Sequence, residues 1–518
     1  MRPKTSSTDR AVRIGVDFGT THTIVALADS GNHPVLRLPF EYEGETLVVE
    51  HAPSCIALCG EERFYGPAAV RCFLDRFDEG VWLLPSIKRL LQHWHEGQAI
   101  EAAGRRLSVE DLLTEFLTSV RRAVLRALDM EEARLEAVIA VPANASSSQR
   151  YVTINSFRRA GFEVIRILDE PTAAGIQFVR ERYKRWDRVE ADVVVYDLGG
   201  GTFDATMLSI RRDRYDPLVT RGISRLGGED FDEALLALVE QKAGRRYEDR
   251  ERIEMLQVVR EVKEGIGTYT QKLHVDTPEG TISIPIREFH DAVRPLVDRT
   301  VDLVQQVIME AKGRGREADR IVLVGGGGLL AAVPKLLKER FGRARIHQGL
   351  YPFAAVAIGA AIQADTPDLE VTGRLSSHFG VIRVREDGSE YVDVIFEKGR
   401  PLPPPGWIET VARPPYDPRH NIGRFQYLEC EEIDPETGLS AGEAVYWNDI
   451  LFPYDRGINT EGEPLSSEDV GRIENTPLLM EERIVEEYSL DAHGILTTRI
   501  SRTIQDRFSN SYNLFRKG

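Results

Sequence analysis

Two short stretches of the sequence combine residue types that could bind phosphate and a metal ion. They are Ile14-Gly15-Val16-Asp17-Phe18-Gly19-Thr20-Thr21 and Val193-Val194-Val195-Tyr196-Asp197-Leu198-Gly199-Gly200-Gly201-Thr202-Phe203-Asp204. Each is an apolar run that ends in Asp and continues through a glycine turn to Thr. Glycines allow backbone N–H groups to face a phosphate without an intervening Cβ. The Asp can hold a hydrated Mg²⁺, which keeps most of its water and bridges phosphate oxygens. The repeat therefore predicts a two-sided clamp for phosphate.

The elements around these turns are predicted to form two α/β halves. The short β-branched runs are typical of buried strands. Residues 137–141 predict a strand, 146–160 a helix, 164–168 a strand, and Glu170-Pro171 the start of another helix. This alternation favours sheets covered by helices. A second half begins at about Ala191 with the repeated turn.

Beyond Asp365 the pattern changes from α/β to β. Residues 386–389 and 491–494 are hairpin signals between strand-like runs. Residues 416–475 are polar, with few periodic runs, and the sequence alone does not assign them. The last ~150 residues are expected to form an antiparallel β domain.

Composition limits the classes of partner and compartment. The length of 518 residues predicts roughly three or four domains. A net charge of −16 without a basic stripe argues against a nucleic-acid partner. No apolar run reaches the ~18 residues of a membrane span. The four cysteines have no zinc-site spacing and are expected to be reduced core residues of a cytoplasmic protein: Cys55, Cys59, Cys72 and Cys430.

Several motifs, in this order along residues 11–365, together resemble those of the seventy-kilodalton heat-shock chaperone family (DnaK-type) within the actin-like ATPase superfamily. Besides the two stretches above they are Ile87-Lys88-Arg89-Leu90, Val141-Pro142-Ala143, Glu170-Pro171-Thr172-Ala173-Ala174, Leu226-Gly227-Gly228-Glu229-Asp230-Phe231-Asp232, Leu323-Val324-Gly325-Gly326 and Ala355-Val356-Ala357-Ile358-Gly359-Ala360-Ala361. The turn Leu490-Asp491-Ala492-His493-Gly494-Ile495-Leu496 is similar to one near the end of the family's substrate-binding β domain.

The resemblance implies a fold and a domain plan. It implies a two-lobed actin-like (ribonuclease H-like, duplicated) α/β ATPase domain followed by an all-β C-terminal domain. Lobe I would span residues 1–190 and lobe II residues 191–365, with a linker at 366–376. Residues 377–518 would form the β-rich substrate-binding domain, without the family's helical lid.

The resemblance also implies a Mg²⁺-dependent ATPase that binds ATP or ADP. Asp17 and Asp197 would hold Mg²⁺ through water. The residues expected to act in catalysis, by positioning the attacking water and the phosphates, are Lys88, Glu170, Asp197 and Thr202. The residues expected to bind the nucleotide are Gly19, Thr20, Thr21, Gly199, Gly200, Gly201, Thr202, Gly228, Glu229, Lys263, Gly325, Gly326 and Gly327. Phosphoryl transfer depends mainly on positioning and charge stabilisation, which these residue types supply.

Departures from the family pattern lead to further expectations. Gly327 and Leu329 stand where a Ser and an adenine-stacking Arg are usual, and Phe353 stands where an acid is usual. Loss of the stacked Arg predicts roughly tenfold weaker ATP binding unless apolar contacts compensate. The mostly polar linker at 364–371 argues against J-domain coupling. The expected partners are an unfolded peptide or client protein and a nucleotide exchange factor.

Two other functions remain open on the same superfold, because a fold does not fix a function. One is an ATP-switched scaffold or filament-forming protein. The other is a small-molecule kinase, against which the Gly227-Gly228-Glu229-Asp230 turn and the C-terminal β domain argue.

Overall fold

The computed structural model describes residues 11–92, 94–95, 97–183, 188–267, 269–418, 420–447, 449–454, 458, 465, 467–474, 483–502 and 509–513. Its chain divides into two compact units. Unit 1 comprises Met1–Arg89, Ile100–Ala143 and Ser156–Val371, and unit 2 comprises Leu90–Ala99, Asn144–Asn155 and Thr372–Gly518. The predicted boundaries at residues 190, 365 and 376 stay predictions.

The helices and strands are numbered along the chain. Helices α1 to α9 are Pro67–Asp75, Val109–Ala127, Ser147–Arg159, Glu170–Arg182, Gly228–Ala243, Asp249–Glu264, Ile286–Gly313, Ala332–Phe341 and Ala355–Asp365. Strands β1 to β20 are Ala11–Phe18, His22–Leu27, Leu38–Tyr42, Glu45–Val49, Ala52–Pro53, Ile56–Cys59, Glu62–Tyr65, Trp82–Leu84, Ala99–Ala102, Arg105–Ser108, Arg134–Val141, Glu163–Asp169, Glu190–Leu198, Phe203–Arg211, Arg214–Ile223, Lys272–Thr277, Gly280–Pro285, Arg320–Val324, Ile346–Gln348 and Glu370–Val371. Strands β21 to β30 are His378–Val384, Glu390–Phe396, Ile408–Ala412, Ile422–Phe425, Tyr427–Ile433, Ser440–Tyr446, Ile450–Pro453, Ile484–Asp491, Leu496–Arg502 and Ser509–Asn513.

Two sheets in unit 1 repeat one arrangement. The first has the order β12-β11-β1-β2-β5, and the second has the order β19-β18-β13-β14-β15-β20. In the first sheet β1 is antiparallel to β2 and parallel to β11. In the second, β13 is antiparallel to β14 and parallel to β18. The repeat seen in the sequence is therefore a structural repeat, and the predicted duplicated α/β fold is confirmed.

Helices α4 and α9 cross within unit 1 with their backbones in close contact. Helix α9 is rich in alanine, and Gly359 lies at the crossing. A Cβ at Gly359 would overlap the carbonyl carbon and oxygen of Ala173 in α4. Small side chains thus permit a spacing that larger ones would prevent. Since α9 also packs on β1 and α4 begins at Glu170, this crossing positions parts of the predicted site.

A side-chain cap marks the start of helix α2. Helix α2 begins after Ser108, whose Oγ accepts a hydrogen bond from the N–H of Asp111 at 3.3 Å. This cap satisfies one of the N–H groups that lack a partner within the helix. The buried face of α2 includes Leu112, Phe116 and Val120, which recur at the four-residue spacing of one helix face.

Unit 2 contains the predicted antiparallel β domain. One sheet has the order β22-β21-β25-β26, a second β23-β28-β29-β30, and β24 pairs with β27. The two predicted hairpins join β21 to β22 and β28 to β29. Five strands, β23 to β27, lie between residues 408 and 453, much of which the sequence alone left unassigned.

The core of this β domain is aromatic and contains one buried carboxylate. The rings of Phe379 and Tyr427 stack with centroids 5.7 Å apart. Glu486, which is fully buried, accepts hydrogen bonds from the hydroxyl groups of Tyr416 and Tyr488 and pairs with Arg383. A buried charge is tolerated where such partners replace its hydration. In the described part of the chain, no helix is long and apolar enough to cross a membrane.

Candidate functional site

The two aspartate-glycine turns close with the same hydrogen bond. In the first glycine turn (residues 19–21), Gly19 N–H donates to the carbonyl oxygen of His22 at 2.9 Å. In the second glycine turn (residues 199–202), Gly199 N–H donates to the carbonyl oxygen of Thr202 at 3.0 Å. A Cβ at Gly200 would overlap the side chain of Thr21. The two turns therefore face each other in direct contact.

Serine side chains support the first glycine turn. Ser54 Oγ donates to the carbonyl oxygen of Gly19 at 2.8 Å, and Ser86 Oγ donates to that of Thr20 at 2.6 Å. The carbonyl oxygens of the first glycine turn are thus held by serine hydroxyl groups of the protein. The amide side of the turn is the one that can meet an anion, which is the arrangement a phosphate-binding turn requires.

The N-terminus of α5 supports the second glycine turn. Gly228 N–H donates to the carbonyl oxygen of Gly199 at 2.9 Å, and Glu229 N–H donates to that of Gly200 at 2.7 Å. These are N–H groups of the first helical turn, which have no partner inside the helix. The same helix end that fixes the turn also brings a positive dipole end to the site.

A cavity of about 380 Å³ opens between the two turns, within unit 1. This volume suits a small-molecule ligand. Every residue predicted to contact the nucleotide or metal lines it except Gly201: Asp17, Gly19, Thr20, Thr21, Lys88, Glu170, Asp197, Gly199, Gly200, Thr202, Gly228, Glu229, Lys263, Gly325, Gly326 and Gly327. Gly201 lies instead against Arg89 and Thr20. The structure brings the predicted set together, whereas the role of each residue stays a prediction.

Lys88 and Glu170 form a buried ion pair that lines the cavity. Lys88 Nζ lies 2.7 Å from Glu170 Oε1, and their side chains are only 8% and 14% exposed. Lys88 begins a short 3₁₀ turn and Glu170 begins helix α4, so separate elements supply the pair. The lysine Nζ also lies 5.7 Å from the ring centroid of buried Phe18. Partner and burial together fix the ammonium group in one place.

Carboxylates around this pair repel one another. Burial, followed by the charge of Glu170, raises the pKa of Asp17 to about 7, and the charge of Lys88 opposes the shift. The same causes raise the pKa of Asp204 to about 7. Burial raises the pKa of Asp197 well above its usual value, and the charges of Glu170, Asp204 and Asp17 add to that effect. One lysine cannot balance four carboxylates, so protons or a bound cation must accompany the others.

The donor set suits a hydrated cation. Carboxylate oxygens are the ligands that Mg²⁺ prefers, and Mg²⁺ usually keeps several waters. Within the described ranges, no group of three or more His, Cys, Asp or Glu side chains is arranged to hold a metal. Binding of Mg²⁺ through water by Asp17 and Asp197 stays a prediction.

A second charged cluster lines the cavity beside the N-terminus of α5. Asp232 is 2% exposed and pairs with Lys263 at 2.7 Å and with Arg260 at 3.3 Å. Lys263 Nζ also donates to the carbonyl oxygen of Gly228 at 2.8 Å. The buried carboxylate therefore fixes two cationic side chains that line the cavity.

Apolar and aromatic side chains also line the cavity. Leu329 and Phe353 line the cavity, at the positions where the sequence departs from the family pattern. The rings of His51 and Phe353 meet edge to face, with centroids 4.4 Å apart. Burial and the nearby Arg260 lower the pKa of His22 to about 4, so its imidazole is neutral at physiological pH.

Sequence reasoning did not assign roles to several residues that the fold brings to the site. Asp204 lies opposite Asp197 in the antiparallel register of β13 and β14. Its position at the end of the second repeat could have identified it. Ser54 had no comparable signal. Asp232 belonged to a quoted motif, but its role was not assigned, because its pairing with Lys263 and Arg260 depends on tertiary packing.

Comparison with known protein families agrees with this geometry. A family model described as "Hsp70 protein" matches residues 13–372, which is more than half of the chain. Hsp70 proteins bind ATP or ADP, act as ATPases, and have chaperone roles. The matched region includes both glycine turns, the Lys88–Glu170 pair and the whole cavity lining. The protein belongs to the Hsp70 family.

Proposed function

We propose that this protein is a Mg²⁺-dependent ATPase that couples its nucleotide state to binding of a peptide or client protein by its C-terminal β domain. One observation carries the ATPase part of the proposal. The two glycine turns touch at Gly200 and Thr21 and enclose a cavity that also contains the Lys88–Glu170 pair. Phosphate binding and placement of a nucleophile can therefore occur in one cavity.

The residues have distinct roles in this proposal. The amides of the two glycine turns wrap the phosphates, and Thr202 contributes its hydroxyl beside them. Lys88 and Glu170 position the attacking water, and Asp197 assists them. Because phosphoryl transfer needs mainly fixed charge and orientation, this buried pair suits the reaction. Mg²⁺, held by Asp17 and Asp197 through water, would neutralise charge on the phosphates.

The part of the cavity lined by Lys263, Leu329 and Phe353 is proposed to take the ribose and base. Lys263 is held there by Asp232 and Gly228, and Leu329 and Phe353 offer apolar contact. Without a stacked arginine at position 329, ATP binding is expected to be weaker than in typical relatives.

The finer assignments extend this proposal. A DnaK-type, cytoplasmic chaperone would bind unfolded peptide through unit 2 and would exchange nucleotide with help from an exchange factor. A J-domain partner is doubtful because the linker sequence is mostly polar. Peptide binding would show as a change in the ATP hydrolysis rate.

The central experiment measures thermal melting and ATP hydrolysis of the full-length protein. With Mg²⁺ and a nucleotide at about one hundred times its dissociation constant, unfolding should become ~2.7 kcal/mol less favourable. Adding an unfolded peptide should change the slow hydrolysis rate. Sedimentation of ATP-dependent polymers would favour a scaffold or filament instead, and transfer of phosphate to a sugar would favour a kinase.

Paired variants test the assigned residues. Asp197→Asn and Thr202→Ala should reduce hydrolysis strongly without unfolding the protein. Asp75→Asn is a matched control, since Asp75 is a surface acid that pairs with Arg71 four residues earlier in α1. If the control and Asp197→Asn hydrolyse ATP equally well, the proposed site is wrong.

A further inference from the structure

Arg89 lies at the junction of the two glycine turns, outside the set of residues assigned so far. It follows Lys88 on the same short 3₁₀ turn. A Cβ placed on Gly201 would lie 2.5 Å from Arg89 Nη2 and 3.3 Å from Thr20 Cγ2. The guanidinium group is therefore against the second turn at the place where the first turn meets it.

Glu229 holds Arg89 in this place. The two side chains form an ion pair through Arg89 Nη2 and Glu229 Oε2. Glu229 is itself fixed to the second turn, because its N–H donates to the carbonyl oxygen of Gly200 at 2.7 Å. The partner of the arginine thus belongs to the same structure that would hold the phosphates, and the guanidinium is oriented before any ligand binds.

Among the residues that the structure describes, the other charges near the glycine turns do not supply a free cation for a terminal phosphate, and Arg89 can supply positive charge there. The ammonium group of Lys88 is paired with Glu170 at 2.7 Å, and Asp17 and Asp197 are close to that pair. A terminal phosphate entering the cavity would add more negative charge. A guanidinium group carries five N–H donors in a rigid fork that matches phosphate. The pair with Glu229 engages Nη2 and leaves the other N–H donors of the guanidinium for a phosphate oxygen.

We propose that Arg89 is a further catalytic residue, whose guanidinium, oriented by Glu229 at the junction of the two glycine turns, binds the terminal phosphate of ATP and stabilises its charge during hydrolysis. This inference rests on the proposed ATPase function. Glu229 is then a positioning residue in addition to a lining residue of the cavity.

The reaction at this site is a balanced hydrolysis. The oxygen of water forms a bond to the terminal phosphorus, and the bond from that phosphorus to the bridging oxygen breaks. The electron pair of the broken bond stays on ADP, and one proton of the water is released to solvent through the nearby carboxylates. Arg89 exchanges no proton, since an arginine stays charged in proteins. It stabilises charge on the phosphate oxygens in the transition state.

The test compares full-length Arg89→Ala, Arg89→Lys, Glu229→Gln and Lys88→Ala with the unmodified protein. Single-turnover hydrolysis at saturating ATP is measured together with the dissociation constants for ATP and ADP. Arg89→Ala should slow hydrolysis by about a hundredfold, as loss of one transition-state donor does. ADP lacks the terminal phosphate, so its affinity should change less than about threefold. Arg89→Lys, which keeps a point charge without the fork, and Glu229→Gln should give intermediate rates.

A matched control separates this role from the loss of any surface ion pair. The side chains of Arg71 and Arg89 are similarly exposed, at 53% and 49%, and each pairs with a carboxylate: Arg71 with Asp75 at 2.9 Å and Arg89 with Glu229. Arg71→Ala should hydrolyse ATP at the unmodified rate, and both arginine variants should melt at nearly the unmodified temperature. Added guanidinium ion should restore part of the rate in Arg89→Ala and none in Lys88→Ala.

The outcomes are distinguishable. If the unmodified protein hydrolyses ATP no faster than Lys88→Ala, the proposed function fails and this inference fails with it. If those two differ but Arg89→Ala hydrolyses ATP within about threefold of the unmodified rate, only the role of Arg89 is overturned. An equal loss of ATP and ADP affinity without a slower reaction would also overturn it.

Discussion

Substitution of Gly359 by alanine tests whether the crossing of α4 and α9 determines the geometry of the site. A Cβ at this position would overlap the carbonyl group of Ala173 and lie 3.0 Å from its Cα. The obstructing atoms belong to a helix backbone, so no side-chain rotation can relieve the overlap. The two helices must separate, and Glu170 at the start of α4 should move with them.

The expected magnitude follows from two opposing effects. Overpacking of a close-packed site costs about 1–3 kcal/mol, and we take ~3 because main-chain atoms must move. Replacing a glycine inside a helix by alanine stabilises the helix by about 1 kcal/mol. The free energy of unfolding should therefore fall by ~2 kcal/mol. With an unfolding entropy of about 2.1 cal/mol/K per residue over the roughly 350 residues of unit 1, the melting temperature should drop by ~3 °C.

Gly313→Ala provides the control for this substitution. Gly313 ends α7, and a Cβ there would have no neighbour within 4 Å. This variant should be as stable as the unmodified protein or slightly more stable. Differential scanning calorimetry and a steady-state ATPase assay would be applied to both variants. If Gly359→Ala melts at or above the temperature of Gly313→Ala, the argument from the helix crossing is wrong. Slower hydrolysis in Gly359→Ala alone would link the crossing to the site.

Three further predictions concern the site and unit 2. Lys88→Met should abolish detectable hydrolysis and cost about 3 kcal/mol of stability, measured by denaturant titration, because Glu170 stays buried without its partner. Leu329→Arg should tighten ATP binding about tenfold in calorimetry, by restoring a cation beside the base. Within unit 2, burial raises the pKa of Glu429 to about 7 although Ser147 N–H donates to both its oxygens. The pKa of Glu429 is higher in the folded than in the unfolded protein, so the free energy of unfolding should fall by up to about 3 kcal/mol as pH rises from 4.5 through 7. Glu429→Gln should lose this pH dependence. Glu431→Gln, which changes an exposed residue two positions along the same strand, should keep it.

The features that could be predicted from the sequence are those whose chemistry is contained in a few consecutive residues. Asp17 and Asp197 each end a buried strand and precede a glycine turn, so strand, turn and candidate ligand appear together. The cap at Ser108 and the hairpin turns have the same property. In these cases local backbone preference and final structure agree, which explains why the predicted elements formed.

The features that could not be predicted depend on contacts between distant residues. Ser54 reaches the carbonyl oxygen of Gly19 from another strand, and Asp232 fixes Lys263 from another helix. Neither residue type is unusual at its position. The strands between residues 408 and 453 are short and gain their stability from pairing across the sheet. Strand propensity depends on such neighbours, so single-sequence patterns reveal little there.

The duplicated sheets explain why the site carries more negative charge than its own residues neutralise. Each sheet contributes an aspartate at the same place, because β1 and β13 end in equivalent turns. The antiparallel partner of Asp197 adds Asp204, and Glu170 begins the helix that crosses α9. Burial, followed by the charge of Glu170, holds the pKa of Asp17 and Asp204 near 7, so a proton or a cation must accompany these groups at neutral pH. A cleft that keeps these carboxylates close together in the folded protein favours binding of a cation, and an anion such as phosphate can bind to that cation. The symmetry that places two glycine turns face to face therefore also creates a charge imbalance, which the proposed metal–phosphate ligand would reduce.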